Sequence, residues 1–302
     1  MIVKVLVIGG SYFLGRVLTM SLSKTWDMTL VNRGNYSMQA YGVQEYFFDR
    51  HNEQAWKNLP AQSYDVVIDL CAYQKGDIET VIKSYSGQIK HYILISTVDV
   101  YYRQTGLEKD ESHPLETRHF QGEVGEYIFQ KVALEKELQE LSQDYAIPYT
   151  ILRPGNIYGP FNYAPRESLL IQRAVSGQPL FSLKDATHPF QMVYVKDVAL
   201  AIQQAVEKKA YHQIYNVINN EAVTYEKINE ILKQCEPQLK VEEHTIEEAI
   251  SLQYPLPYPV YKEEMEYYNG QKIIHDLGIT YTPLEEGLKK TYQAFYPVYK
   301  TK

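Results

Sequence analysis

Val3-Lys4-Val5-Leu6-Val7-Ile8-Gly9-Gly10-Ser11-Tyr12-Phe13-Leu14-Gly15 runs from an apolar segment through a glycine turn into the start of a helical pattern. The first six residues are almost all apolar and mostly β-branched, the texture of a strand covered on both faces. From Leu14 to about Lys24, the residues Leu14, Val17, Leu18 and Leu22 share one helical face. A strand-to-helix turn of this kind aims several backbone N–H groups and the positive end of a helix at one spot. That is an anion site suited to a pyrophosphate. Gly9 permits the tight turn and Gly15 permits close packing of helix on strand.

Further strands read at Met28 to Asn32, Gln44 to Phe48, Asp65 to Leu70, His91 to Ser96 and Tyr149 to Leu152, with a long helix from about Glu123 to Tyr145. Strands separated by crossovers of this length predict an α/β fold with a doubly wound parallel sheet. Past Arg153-Pro154-Gly155 prolines become frequent, Gln213 to Val217 reads as a returning strand, and Thr224 to Lys233 as a helix. Tyr254 to Tyr261, with three prolines, is extended and incompatible with a helix. No repeat or low-complexity linker divides the chain. The expected division is a dinucleotide-binding domain over 1–157 plus about 190–219, and a small interleaved C-terminal substrate domain over about 158–189 and 220–302.

The 302 residues carry a formal charge of −7, which argues against a nucleic-acid partner, since such proteins show a basic stripe. The apolar start from Ile2 to Ile8 is far too short for a membrane span and lacks a signal-peptide cleavage pattern. Two cysteines, Cys71 and Cys235, cannot build a disulfide framework or a four-cysteine metal site. No histidine spacing reads as a metal site, so none is expected, and the balance fits a cytoplasmic protein. The 28 tyrosines make any tyrosine motif cheap to find by accident.

The turn resembles that of the short-chain dehydrogenase/reductase superfamily in its extended, NAD-dependent epimerase/dehydratase branch. That branch reads Gly-x-x-Gly-x-x-Gly, and Gly9, Tyr12 and Gly15 stand at those places. Tyr12 replaces the middle glycine, so its side chain must point away from the cofactor. A Gly-Gly-x-x-Phe-Leu-Gly variant is similar to an atypical subgroup that includes epimerases, reductases and chloroplast stem-loop RNA-binding proteins. The resemblance implies a Rossmann-type sheet with Gly9, Gly10, Ser11, Tyr12, Phe13, Leu14 and Gly15 around the pyrophosphate, and with Leu70, Cys71 and Ala72 also on the cofactor. At the end of the second strand, Val31-Asn32-Arg33 offers no carboxylate for the ribose hydroxyls. Arg33 can meet a 2′-phosphate, which favours NADP over NAD. Asp49 matches the family aspartate that touches the adenine amino group.

Tyr127 and Lys131 fit the family's Tyr-x-x-x-Lys. Chance alone gives about two such pairs here, and the chain has four, the others being Tyr258/Lys262, Tyr268/Lys272 and Tyr296/Lys300. Prolines inside the pairs at 258 and 296 and Gly270 inside the third disfavour a helix there. Only Tyr127 and Lys131 sit on a clear helix, where i and i+4 share a face that continues as Leu134, Leu138, Leu141 and Tyr145. About 30 residues earlier, Ile95-Ser96-Thr97-Val98-Asp99-Val100-Tyr101 is similar to the family's Ser-Ser-x-x-Val-Tyr. Thr97 then holds the hydroxyl that bonds the reacting oxygen, Ser96 lies beside the cofactor and Asp99 faces substrate. Leu152 to Pro160 resembles the segment that packs on the nicotinamide, through Pro154 and Ile157, with Asn156 toward substrate. Pro189 to Ala199 resembles the substrate-side strand, with Gln191 toward substrate and Phe190 where an arginine usually binds diphosphate. Arg153, Arg166 and Arg173 remain as candidate anion binders.

These blocks imply hydride transfer at a secondary alcohol or ketone. A free phenol is too weak a base at neutral pH, so Lys131 is expected to favour the Tyr127 phenolate while Thr97 donates to the developing alkoxide. The expected protein is an NAD(P)-dependent oxidoreductase or sugar epimerase acting on a small sugar or nucleotide-sugar-like molecule. The competing reading is a catalytically silent cofactor-binding scaffold or regulator, in one version RNA-associated. Dehydration is disfavoured, because the usual Asp-Glu pair after the threonine is replaced by Val98-Asp99. A homodimer is expected through the helix carrying Tyr127, whose Ile128, Phe129 and Val132 lie off the sheet-facing stripe.

Overall fold

Seven parallel strands make the central sheet: β1 (Val3–Ile8), β2 (Trp26–Asn32), β3 (Gln44–Phe47), β4 (Val66–Asp69), β5 (Tyr92–Ile95), β6 (Tyr149–Pro154) and β7 (Gln213–Val217). Their spatial order is β7-β6-β5-β4-β1-β2-β3, in a computed structural model that describes residues 2–162 and 164–300. The chain winds outward from β1 in both directions, so a crevice opens at the carboxyl ends where the order reverses. Register sets its floor. Ile8 lies opposite Val31 on one side and Asp69 on the other, so Gly9 and Leu70 leave the sheet level with Asn32, the last residue of β2.

Among the described residues ten α-helices follow in chain order: α1 (Phe13–Leu22), α2 (Glu53–Asn58), α3 (Asp77–Ser84), α4 (Glu123–Tyr145), α5 (Glu167–Val175), α6 (Val195–Glu207), α7 (Tyr225–Cys235), α8 (Ile246–Ser251), α9 (Gln271–Leu277) and α10 (Leu284–Lys300). Alternate β1 residues point to opposite faces. Val5 and Val7 join a core with α1 and α6, while Leu6 and Ile8 join one with α2, α3 and α4. The first core continues without a break into α5, α7 and α10, so the C-terminal part shares the sheet's core. Residues 190–219 supply Met192–Tyr194, α6 and β7, returning the chain to the sheet. Tyr254 to Tyr261 contains no helix, as its prolines require.

Two expectations change. Tyr296 and Lys300 do lie on a helix, because Pro297 falls in the last turns of α10, where a lost backbone bond costs little. On α4, Leu134, Leu138 and Leu141 pack on the sheet, but Tyr145 at its end is exposed. Ile128 and Val132 are already buried within the chain, which leaves Phe129 and Val124 as the exposed apolar residues of that helix.

Buried ions fasten the elements around the crevice. Asp69, fully buried at the end of β4, receives both Arg50 Nη atoms at 2.8 Å and the Tyr92 hydroxyl at 2.6 Å. Burial penalises the carboxylate, but the Arg50 guanidinium overrides that and holds the Asp69 carboxyl below its ordinary value. Arg50 Nη2 also donates to the Asp77 carbonyl at 2.9 Å, joining the loop after β3 to the start of α3. Breaking such a pair strands a charge in low dielectric. Arg50→Met is expected to cost about 3–5 kcal/mol of unfolding free energy in urea titrations; a loss below about 1 kcal/mol would show the pair is not needed.

Candidate active site

A cleft of ≈ 1560 Å³ opens along the carboxyl edge of the sheet. Every residue assigned above to cofactor, catalysis or substrate lines it except Gly10 and Ala72. Gly10 serves packing: a Cβ there would meet the Leu30 side chain at 2.7 Å. Ala72 is buried and acts through its carbonyl, described below.

The phosphate end is built by close approach. Gly9 sits at φ +91°, and an added Cβ would come within 3.1 Å of Cys71 Sγ. A Cβ on Gly15 would fall 2.2 Å from the Gly9 carbonyl, so only glycine lets α1 begin against the end of β1. The first N–H groups of α1 have no partner within the helix and face an anion-sized space. Tyr12, about half exposed, lines the cleft wall, its ring stacked near Tyr36 at 6.3 Å between centroids. Arg33, Asp49 and His51 line the far end. Asn32 is occupied locally, its amide donating to Glu45 and its oxygen accepting from the Gly34 N–H.

The reactive end gathers around Lys131. This lysine is 3% exposed, and its Nζ donates to the Ala72 carbonyl at 2.8 Å and the Ile95 carbonyl at 3.0 Å. An ammonium has three N–H bonds, so the third is left for the cleft. Burial pulls the Lys131 ammonium down to about 8. Its Nζ lies 5.8 Å from the Tyr127 ring centroid and 5.1 Å from that of Tyr73. The expectation that Lys131 makes Tyr127 acidic is corrected. Burial, then the negative charge of Asp99, push the Tyr127 phenol well above its usual value, and hydrogen bonding with Thr97 only partly offsets them. Thr97 caps the short helical turn Val98–Val100 by accepting the Asp99 N–H at 3.2 Å, while its own hydroxyl donates to Asp99 Oδ2 at 3.0 Å. Ser96 Oγ is buried at the cleft wall with no hydrogen-bond partner. An orphaned hydroxyl there asks for a polar ligand atom.

The substrate end differs from expectation in detail. Gln191 lines the cleft, yet its amide is clamped on Tyr268, donating to the carbonyl at 2.9 Å and accepting from the N–H at 2.8 Å. It positions that segment. Asn156 donates to the Gln191 carbonyl at 3.2 Å, and its oxygen lies 3.4 Å from Arg166 Nη1. Of the three candidate arginines only Arg166 reaches the cleft. Arg153 is buried on Glu135 at 2.6 and 2.9 Å, and Arg173 donates to the Pro179 carbonyl. Phe190 is buried against Tyr258, with ring centroids 4.6 Å apart. Among the other tyrosine–lysine pairs, Lys272 donates to the Ile214 carbonyl, away from Tyr268. Sequence reasoning missed Arg103, His51 and Tyr73 in the wall. His51 follows directly on Asp49-Arg50, and Arg103 on the Thr97 block; nothing in the pattern marked either.

Among the described residues no His/Cys/Asp/Glu group could hold a metal ion, and no helix is long and apolar enough to cross a membrane. Residues 77–218 match the NAD dependent epimerase/dehydratase family. The chain is 28% identical over 243 residues to the chloroplast stem-loop binding protein of 41 kDa b of Arabidopsis thaliana, covering 74% of this chain and 60% of that one. It is 26% identical over 219 residues to the dTDP-D-glucose 4,6-dehydratase of Mus musculus, covering 70% and 57%. The chain thus spans somewhat under two thirds of these relatives' length. UDP-glucuronic acid 4-epimerase from Bacillus cereus in complex with NAD superposes with a TM-score of 0.75 at 19% identity, covering 98% of this chain and 100% of that one, a likeness of fold.

Asp99 makes the phenol harder to ionise, so removing its charge has a definite sign. Asp99→Asn is expected to lower the Tyr127 pKa and to move the alkaline break in the pH profile of kcat/KM to lower pH, by roughly one unit. An unmoved break would separate Asp99 from Tyr127.

Proposed function

We propose that this chain, whose residues 77–218 match the NAD dependent epimerase/dehydratase family, is an NAD(P)-dependent oxidoreductase or epimerase of the extended short-chain dehydrogenase type. Its substrate is a sugar nucleotide or similar sugar with a secondary alcohol or ketone, the class named for its dehydratase relatives. One observation carries the reading: Tyr127, Thr97, the buried Lys131 and the orphaned Ser96 hydroxyl line one cleft together with the glycine turn.

The residues present fit a nicotinamide dinucleotide. Gly9 and the start of α1 would hold the pyrophosphate, and the third Lys131 N–H a ribose hydroxyl, with Pro154 and Ile157 flanking the ring. When bound, the nicotinamide supplies the hydride acceptor and donor. Tyr127 handles the proton. With its pKa pushed up it rests as the neutral phenol, ready to donate its proton to a ketone oxygen; in the other direction it must first release that proton, and the phenolate then takes the alcohol proton. Lys131 carries positive charge toward that developing anion. Phe190 cannot bind diphosphate, so Arg166 and Arg103 are the cations left at the substrate end. The substrate-reading part is the division at about 158–189 and 220–302. The protein is read as a cytoplasmic homodimer pairing through the exposed Val124 and Phe129 of α4.

The relative named for stem-loop binding favours a second reading, a scaffold that binds cofactor without turnover. A chain of net charge −7 suits its RNA-bound version poorly.

Tyr127→Phe keeps the ring and removes the proton donor. Turnover is expected to fall by about 10²–10⁴-fold with cofactor affinity unchanged. Tyr296→Phe, the same spacing on the exposed end of α10, is the control and keeps full turnover. Full activity in Tyr127→Phe would hand the site to the scaffold reading. For the base end, NADP is expected to bind more tightly than NAD, and Arg33→Ala to reduce that preference in calorimetric titration. An unchanged ratio removes Arg33 from the site.

A further inference from the structure

We infer that His51 governs how the protein reads the adenine of its cofactor, by holding the Asp49 carboxylate in place; this rests on the cofactor site proposed above. His51 Nδ1 lies 2.8 Å from Asp49 Oδ1, and the His51 backbone N–H donates to the same oxygen at 2.9 Å. On the other side of the ring, Nε2 lies 2.9 Å from Asp77 Oδ1, with the Gln74 amide nitrogen 3.3 Å away.

The two carboxylates are unequal. Asp77 is 2% exposed, and its Oδ2 accepts the Tyr73 N–H at 2.7 Å and the Gln74 N–H at 3.2 Å, with Arg50 Nε at 3.7 Å. It is fixed at the start of α3. Asp49 is 57% exposed, on the loop after β3. His51 therefore ties an exposed carboxylate to a buried, anchored one. The two ring nitrogens of His51 each face one of the carboxylates, so the ring bridges them. This occupies Asp49 Oδ1 and leaves Oδ2 to accept from an exocyclic amino group at the cleft.

Arg33 gives the arrangement its consequence. It lines the same end of the cleft, and its charge reaches Asp49, helping to hold that carboxyl below its usual value after the larger effect of the bonds from His51. Released from His51, Asp49 would turn to Arg33. One ion pair would then consume both base-end groups, the acceptor for an adenine amino group and the cation for a 2′-phosphate. His51 keeps them apart and is a positioning residue, since it acts through Asp49.

The test compares NAD with nicotinamide hypoxanthine dinucleotide, in which an oxo group replaces the adenine amino group. Dissociation constants are measured by calorimetry for the wild-type protein, Asp49→Ala, His51→Ala and His51→Arg. Wild type is expected to favour NAD by roughly tenfold, the scale of one hydrogen bond to a charged group. Asp49→Ala should bring the ratio near one. His51→Ala should bring it within about twofold while leaving the hypoxanthine affinity nearly unchanged, which a general loosening of the loop would not do. His51→Arg, whose fork of N–H donors can span the two carboxylates, should restore most of the preference. If Asp49→Ala abolishes discrimination and His51→Ala retains it, the inference is overturned and the cofactor site stands. If the wild-type protein binds neither dinucleotide, both fall.

Discussion

An ammonium buried where a helix crosses the ends of two strands is the constraint on which the rest of this site depends. Lys131 cannot stay charged there unless carbonyls replace the water it has lost. The Ile95 carbonyl belongs to the last residue of β5 and the Ala72 carbonyl to the loop that follows β4, and both accept from Nζ. The position of α4 over the sheet is thereby set to within hydrogen-bond tolerance. Tyr127, one turn earlier, is carried to the cleft by the same docking.

The same edge is reinforced by charges that never meet solvent. Arg153 on β6 is clamped by Glu135 of α4, and Glu137 accepts the Gly76 and Glu79 N–H groups at 2.6 and 2.8 Å, closing the start of α3. Arg50 and Asp69 join the loop after β3 to β4. Each of these anchors joins two elements that border the cleft. These cross-links brace the glycine-turn half of the cleft, the preorganisation that the proposed hydride transfer needs.

The substrate half follows different physics. Its wall comes from loops and short strand pairs between and after the sheet strands, packed through aromatic rings such as Phe190, Tyr258 and Tyr225 and through the clamp of Gln191 on Tyr268. Such a wall can change its polar groups without disturbing the sheet. That is consistent with dehydratases and epimerases sharing the frame. It also accounts for an aromatic ring at position 190, where the resembled family carries an arginine.

The sequence by itself determined the parallel sheet, the glycine turn, and the placement of Tyr127, Lys131 and Thr97 along one edge. These rest on local periodicity and on backbone geometry that only glycine permits at Gly9 and Gly15. Tertiary structure decided the rest, because the deciding interactions join residues distant in sequence. Periodicity could show that Arg153 ends a strand but not that Glu135 waits beneath it. The Tyr-x-x-x-Lys spacing could place a lysine beside a tyrosine, yet the carbonyls that hold Lys131 are 36 and 59 residues away, and the charge that opposes Tyr127 ionisation comes from Asp99. Ile128 and Val132 looked free for a partner until folding buried them. Electrostatics and burial are properties of the assembled edge, and no window of sequence contains them.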